Sequence, residues 1–190
     1  TGDSRQEKLT PGHVAALTRM FAYSPQAAGL LPLEINEAAA GRYEPLMALS
    51  KLISGTLGEQ IMTGMQLSVI CTEDAADMKA NPADANSLLG QEMITVMQAQ
   101  CGVWPQGVRP EGFRKPLTGA LPVLILSGEF DPVTPPRYGA EVQRGLPNSR
   151  HFIVRGQGHN VLPVGCMPKL FARFVDTADA KALDAACLDK

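Results

Sequence analysis

Apolar side chains recur at helical spacing through the first 116 residues, and beyond them the period changes. Thr10-Pro11 supplies a capping hydroxyl and a proline at the first helical position, and Val14, Leu17, Met20 and Phe21 then fall on one face. Ser24-Pro25 predicts a second start, broken near Pro32 and resumed from Glu34 to Ala40, where Gly41 ends it. Glu44 to Ser54 reads as a third helix, apolar at Leu46, Leu49, Leu52 and Ile53 and stopped by Gly55. A further helix is expected from Ser87 to Gln100, carrying Leu88, Leu89, Met93, Val96 and Met97. Met62, Met65, Met78, Met93 and Met97 read as adaptable packing rather than as a ligand-binding stripe. Residues 1–116 therefore predict a small helical module.

From residue 117 the pattern is that of an α/β fold. Leu121-Pro122-Val123-Leu124-Ile125-Leu126-Ser127 is a short, continuous apolar run stopped by Gly128, as expected of a strand covered on both faces in a parallel sheet. Pro135 to Arg144 follows as a helix closed by Gly145 and Pro147, and Arg150 to Arg155 forms a second strand stopped by Gly156. Strand, helix and strand in this order make one right-handed crossover. Two amphipathic stretches, Cys166 to Val175 and Asp179 to Leu188, close the chain.

Composition narrows the possible functions. The 190 residues are 45% hydrophobic and 19% charged, which suits a packed core and not a disordered chain. A net charge of −2 with dispersed Lys and Arg offers no cationic patch to a nucleic acid, and 5% aromatics offer no base-stacking platform. The longest apolar run, Leu121 to Leu126, falls far short of the roughly 20 residues of a membrane-crossing helix, so no membrane partner is expected. Thr1 to Lys8 is polar and has neither an initiator Met nor a signal-peptide core, so a removed leader or a cut from a longer chain is expected. Cys71, Cys101, Cys166 and Cys187 fit two disulfides in any of three pairings, or four buried thiols. No metal-ligand spacing occurs, and no cofactor is expected.

Each predicted strand ends in a polar loop. The first is Ser127-Gly128-Glu129-Phe130-Asp131-Pro132-Val133-Thr134-Pro135-Pro136, and the second is Gly156-Gln157-Gly158-His159-Asn160-Val161. The carboxyl ends of neighbouring parallel strands share one edge of a sheet, so Asp131 and His159 are expected side by side. An Asp that accepts a hydrogen bond from a His fixes its tautomer and leaves the other nitrogen to act as a base. Taken singly, Asp131 is also an ordinary turn residue and His159 an ordinary loop histidine. Their matching positions after consecutive strands are what mark them. His13 and His151 have no partner motif, and Arg42, Arg137 and Arg173 read as surface charges.

At these residues the sequence resembles a known family. LPVLILSGEFDPVTPP followed by GQGHN is similar to the final part of an α/β-hydrolase, in particular the tripeptidyl-aminopeptidase-like and proline-iminopeptidase-like serine peptidases. The resemblance implies a triad in the order Ser, Asp, His, with Asp131 as the acid and His159 as the base. FAYSP, LLPLEINEAAAGRYEPL and SVICTEDA resemble the helical cap of such enzymes, while GCMPKLFARFV and ALDAACL resemble their C-terminal helices. The implied fold class is α/β. Residues 117–190 would form the C-terminal portion of an α/β-hydrolase core, its last parallel strands with flanking helices, preceded by a mostly helical cap over residues 1–116.

The family's nucleophile sits in a G-x-S-x-G elbow, and no such sequence occurs here; Ser54-Gly55 and Ser127-Gly128 lack the glycine two positions before the serine. Two lone parallel strands leave faces and edges uncovered. The resemblance therefore implies an N-terminal half of the same enzyme, lying before Thr1 and carrying the serine and the oxyanion hole, or else a second copy as partner. It further implies the disulfides Cys71–Cys101 and Cys166–Cys187, each closing a loop of roughly 20 to 30 residues and worth about 3 kcal/mol in the chain-entropy model. A secreted or periplasmic location follows. Glu73 and Asp74 are implied to hold the free α-ammonium of a peptide substrate, the plainer alternative being solvated carboxylates or a helix start. The expected function is an exported serine aminopeptidase or exopeptidase, with this chain inactive alone. An esterase with the same triad and a non-catalytic binding domain are the alternatives.

Overall fold

The computed structural model describes residues 7–189, apart from the side chains of residues 54, 56–60 and 189; most of the polar N-terminal peptide thus lies outside the described residues. Its helices and strands run α1 (Pro11–Phe21), α2 (Pro25–Ala28), α3 (Leu31–Ala39), α4 (Glu44–Gln60), α5 (Thr63–Glu73), α6 (Glu92–Cys101), β1 (Val123–Gly128), α7 (Pro136–Gln143), β2 (Ser149–Val154) and α8 (Met167–Thr177). They divide into two compact units. Of the described residues, one comprises those up to Met20 with Pro32–Phe113, and the other Phe21–Leu31 with those from Arg114 on.

The first unit is helical, with several boundaries that depart from the sequence pattern. At α1 the Thr10 hydroxyl bonds His13 Nδ1 at 2.9 Å. The break before α3 falls ahead of Leu31, so that Pro32 stands in the first turn, where its missing N–H costs nothing. Gly41 then ends the segment in the left-handed region, at φ 83°. Helix α4 continues past Gly55 and Gly58 to Gln60, because each internal glycine costs only about 1 kcal/mol, too little to end a helix by itself. Helix α6 starts at Glu92 rather than Ser87, since Ser87 Oγ accepts the Gly90 N–H at 3.0 Å and closes a turn first.

Helix α5 has no counterpart in the predicted elements. It buries Leu67 and Cys71 while leaving Met65 and Val69 exposed, so apolar residues surround it and blur its period. Cys71 and Cys101 form a disulfide that ties α5 to α6, and with Leu67 they make up a small core flanked by Ile70, Met97 and Trp104. The segment after α6 is strapped back onto α5. Trp104 Nε1 donates to Ser68 Oγ at 3.2 Å, the Gly107 N–H to Thr72 Oγ1 at 2.9 Å, and Arg109 to the Glu73 carbonyl at 3.0 Å.

In the second unit β1 and β2 pair in parallel, with Val123 opposite Ser149 and Gly128 opposite Val154. Leu124 and Leu126 alternate onto one face, where they pack with Phe152, Val154 and, from α8, Met167 and Leu170. On the other face lie Ile125 and His151, against α7. A Cβ on Gly139 of α7 would stand 2.7 Å from the His151 ring, so a glycine is what lets this helix come so close. Val123 to Leu126 are half-buried rather than fully covered, and Leu121 is exposed.

Residues Asp179 to Leu188 form capped turns and a short 3-10 helix (Ala186–Asp189) instead of an amphipathic helix. Asp179 Oδ1 captures the N–H groups of Lys181 and Ala182, and Asp184 Oδ1 that of Ala186, which diverts the backbone from helical bonding. The Cys166–Cys187 disulfide and Arg150, bonded to the Lys181 carbonyl at 3.1 Å, hold this tail to the sheet, with Leu183 buried beneath. The architecture is thus α/β: one helical unit, and one unit built on a small parallel sheet of two strands. Among the described residues no helix is long and apolar enough to cross a membrane.

Candidate active site

Because β1 and β2 end in register, their two following loops leave the sheet at one edge and bond to each other. The Glu129 N–H donates to the Val154 carbonyl at 3.0 Å and the Phe130 N–H to the Gln157 carbonyl at 2.9 Å. The Glu129 carboxylate in turn accepts the Gly156 N–H at 2.8 Å. Gly128 lies so near Gly158 that a Cβ on it would overlap the Gly158 carbonyl.

This framework brings Asp131 and His159 together. His159 Nδ1 lies 2.9 Å from Asp131 Oδ2. The Asp131 side chain is 4% exposed and that of His159 36%. Asp131 is also held by its own turn, where Oδ1 accepts the N–H groups of Val133 and Thr134 at 2.8 and 3.0 Å, and Oδ2 accepts the Thr134 hydroxyl at 2.9 Å. Burial alone would raise the carboxyl of Asp131. The Thr134 amide, His159, the Val133 amide and the Thr134 hydroxyl together outweigh that and draw it down to about 2. The acid is therefore ionised at neutral pH and fixed on both oxygens. Accepting the Nδ1 proton, it turns Nε2 into the lone-pair nitrogen, which has no hydrogen-bond partner among the described residues. Such a pair can take a proton from a hydroxyl and return it to a leaving group.

Tyr23, from the segment between α1 and α2, completes the surroundings of His159. Its carbonyl accepts the His159 N–H at 2.8 Å, and its ring meets the imidazole edge-to-face, centroids 5.2 Å apart. Neither Thr134 nor Tyr23 stands out in the sequence. For Thr134 the Asp-x-x-Thr spacing of a side-chain-capped turn is a usable signal; Tyr23 has none, because its contact spans distant segments. His151, without a partner motif, does find one in the structure: its Nε2 lies 2.9 Å from Ser127 Oγ, and burial lowers its pKa.

Glu73 and Asp74 lie in the other unit, half-buried at the C-terminus of α5. Cys71 pairs with Cys101, and Cys166 with Cys187. Among the described residues no group of His, Cys, Asp or Glu is placed to hold a metal ion.

A family model described as TAP-like protein, of the α/β-hydrolase class, matches residues 86–187. The match covers more than half of the chain and includes Asp131, His159, Cys101, Cys166 and Cys187; Tyr23, Cys71, Glu73 and Asp74 precede it. No curated protein and no solved structure is significantly similar to the chain.

Proposed function

The chain belongs to the TAP-like family of α/β-hydrolases, and on that premise we propose that it carries the acid and base of an exported serine aminopeptidase or exopeptidase. The observation that supports this most is the Asp131–His159 pair at the carboxyl edge of a parallel sheet, where open α/β folds place their chemistry. In the proposed mechanism a serine from outside these 190 residues attacks the peptide carbonyl. His159 Nε2 takes the hydroxyl proton and delivers it to the departing amine, while Asp131 remains ionised and steadies the imidazolium. Residues 1–116 act as a helical cap, in which Glu73 and Asp74 bind the substrate's α-ammonium through charge-assisted hydrogen bonds. The partner that supplies the serine is the N-terminal half of the same enzyme or a second copy. Two disulfides in one chain suit an oxidising compartment, secreted or periplasmic.

Labelling with a serine-directed fluorophosphonate tests this proposal. The 190-residue chain alone is expected to remain unlabelled and to leave aminoacyl and peptidyl reporters intact. The product of the complete reading frame is expected to be labelled at a serine outside the chain. Stoichiometric labelling of any serine within residues 1–190 overturns the proposal. Turnover of esters with no turnover of free-amine peptides would favour an esterase instead.

A further inference from the structure

We propose that Tyr23 is a positioning residue for His159, a role that rests on the acid–base assignment of His159 and goes beyond it. The loop that carries His159 is pinned to the loop after β1 at Gly156 and Gln157, ahead of His159, whose own N–H goes elsewhere. It contains Gly156 and Gly158, and it passes through left-handed backbone at Gly156 (φ 66°) and again at Asn160 (φ 60°). The imidazole is 36% exposed, which leaves room for other rotamers. What crosses the loop is the short segment at Ala22-Tyr23. The Tyr23 carbonyl accepts the His159 N–H at 2.8 Å. The two backbones approach so closely that a Cβ on Gly158 would overlap the Tyr23 carbonyl and lie 3.1 Å from that of Ala22. The Tyr23 ring then stands against the imidazole, at a centroid distance of 5.2 Å and an interplanar angle of 76°.

Tyr23 is itself well placed to hold a neighbour. Before it Phe21 is buried, and after it the Ser24 N–H returns to the Phe21 carbonyl at 3.2 Å while Ser24 Oγ caps the Ala27 N–H at the start of α2. His159 is therefore fixed from three sides: Asp131 on Nδ1, the Tyr23 carbonyl on the main chain and the Tyr23 ring beside the imidazole. Asp131 can select the tautomer only while the ring stays within reach, and the two contacts from Tyr23 keep it there.

Ring nitrogen spectra of the full chain, labelled with ¹⁵N-histidine at neutral pH, test the proposal. The expected signature of His159 is protonation at Nδ1. Tyr23→Phe is expected to keep it. Tyr23→Ala is expected to lose it toward the Nε2-protonated form that free histidine prefers. Gly158→Ala, which pushes the Tyr23 carbonyl away, is expected to lose it with both side chains still present. The His151 signal, fixed by Ser127, reports that the unit is folded. If Tyr23→Ala also loses the His151 signal, Tyr23→Leu decides by the same criterion. Retention of the Nδ1 signature in Gly158→Ala and in the folded Tyr23 variant overturns the role of Tyr23. A His159 signal unchanged by Asp131→Asn would instead overturn the acid–base pairing, which separates the two failures.

Discussion

Gly128, at the end of β1, and Gly158, in the loop after β2, meet backbone to backbone, with the Gly158 carbonyl oxygen in the place that a Cβ on Gly128 would need. That approach lets the Phe130 N–H reach the Gln157 carbonyl and Asp131 reach His159. Gly128→Ala is therefore expected to destabilise by about 3 kcal/mol, the upper end of overpacking, because backbone rather than a flexible side chain must yield. Urea unfolding of the two forms measures it; equal midpoints would mean that the loops separate at no cost.

Asp131 sets an acid limit on stability. Its carboxyl lies at about 2 in the folded chain against 3.8 for a free aspartate, so the unfolded chain binds the proton more tightly. The resulting stabilisation is complete above about pH 4 and is lost as pH falls toward 2, with a total of about 2 kcal/mol. Asp131→Asn is expected to lower stability at pH 7 by a similar amount and to flatten the decline between pH 4 and 2. Denaturant midpoints of both proteins across that range check the sign, and a parallel decline in the variant would contradict it.

The α5–α6 part of the first unit depends on its disulfide. Two of the three buried residues of that cluster are Cys71 and Cys101 themselves, and the bridge spans 30 residues. Replacing both by Ala is expected to cost about 3–4 kcal/mol, and removing Cys166–Cys187 with its 21-residue span about 3 kcal/mol. Thermal unfolding monitored by circular dichroism, with and without reductant, measures both. A helical signal that melts identically when reduced would show that packing alone suffices.

Glu73 is expected to act on binding and not on chemistry. In the complete enzyme Glu73→Gln should raise KM for free-amine peptides about tenfold, the loss of one charge-assisted bond, and leave N-blocked esters unaffected. Kinetics on the two substrate types decide it, since equal losses on both would remove Glu73 from the ammonium site.

The sequence was most legible where one residue type had one physical meaning. Gly128 and Gly156 marked the strand ends, and the polar loops after them placed Asp131 beside His159 because parallel strands share an edge. Legibility failed where several forces competed. Gly55 reads as a stop, but a long helix absorbs both it and Gly58. Asp179 and Asp184 sit in a stretch with helical spacing, yet their carboxylates captured backbone N–H groups first. Helix α5 was hidden by apolar residues on every side. Tyr23 was beyond sequence reasoning, because its carbonyl and ring act on His159 from the far end of the chain.

That Asp131 and His159 form the acid–base pair of a serine hydrolase is a claim that turnover of an aminoacyl or peptidyl anilide decides. The measurement compares the product of the complete reading frame with its His159→Ala and Asp131→Asn variants. His159→Ala is expected to lower kcat by about 10⁴- to 10⁶-fold with KM little changed, and Asp131→Asn by about 10⁴-fold, because the wrong nitrogen would then face the nucleophile. A folded His159→Ala protein that turns over within roughly tenfold of the parent would contradict the claim.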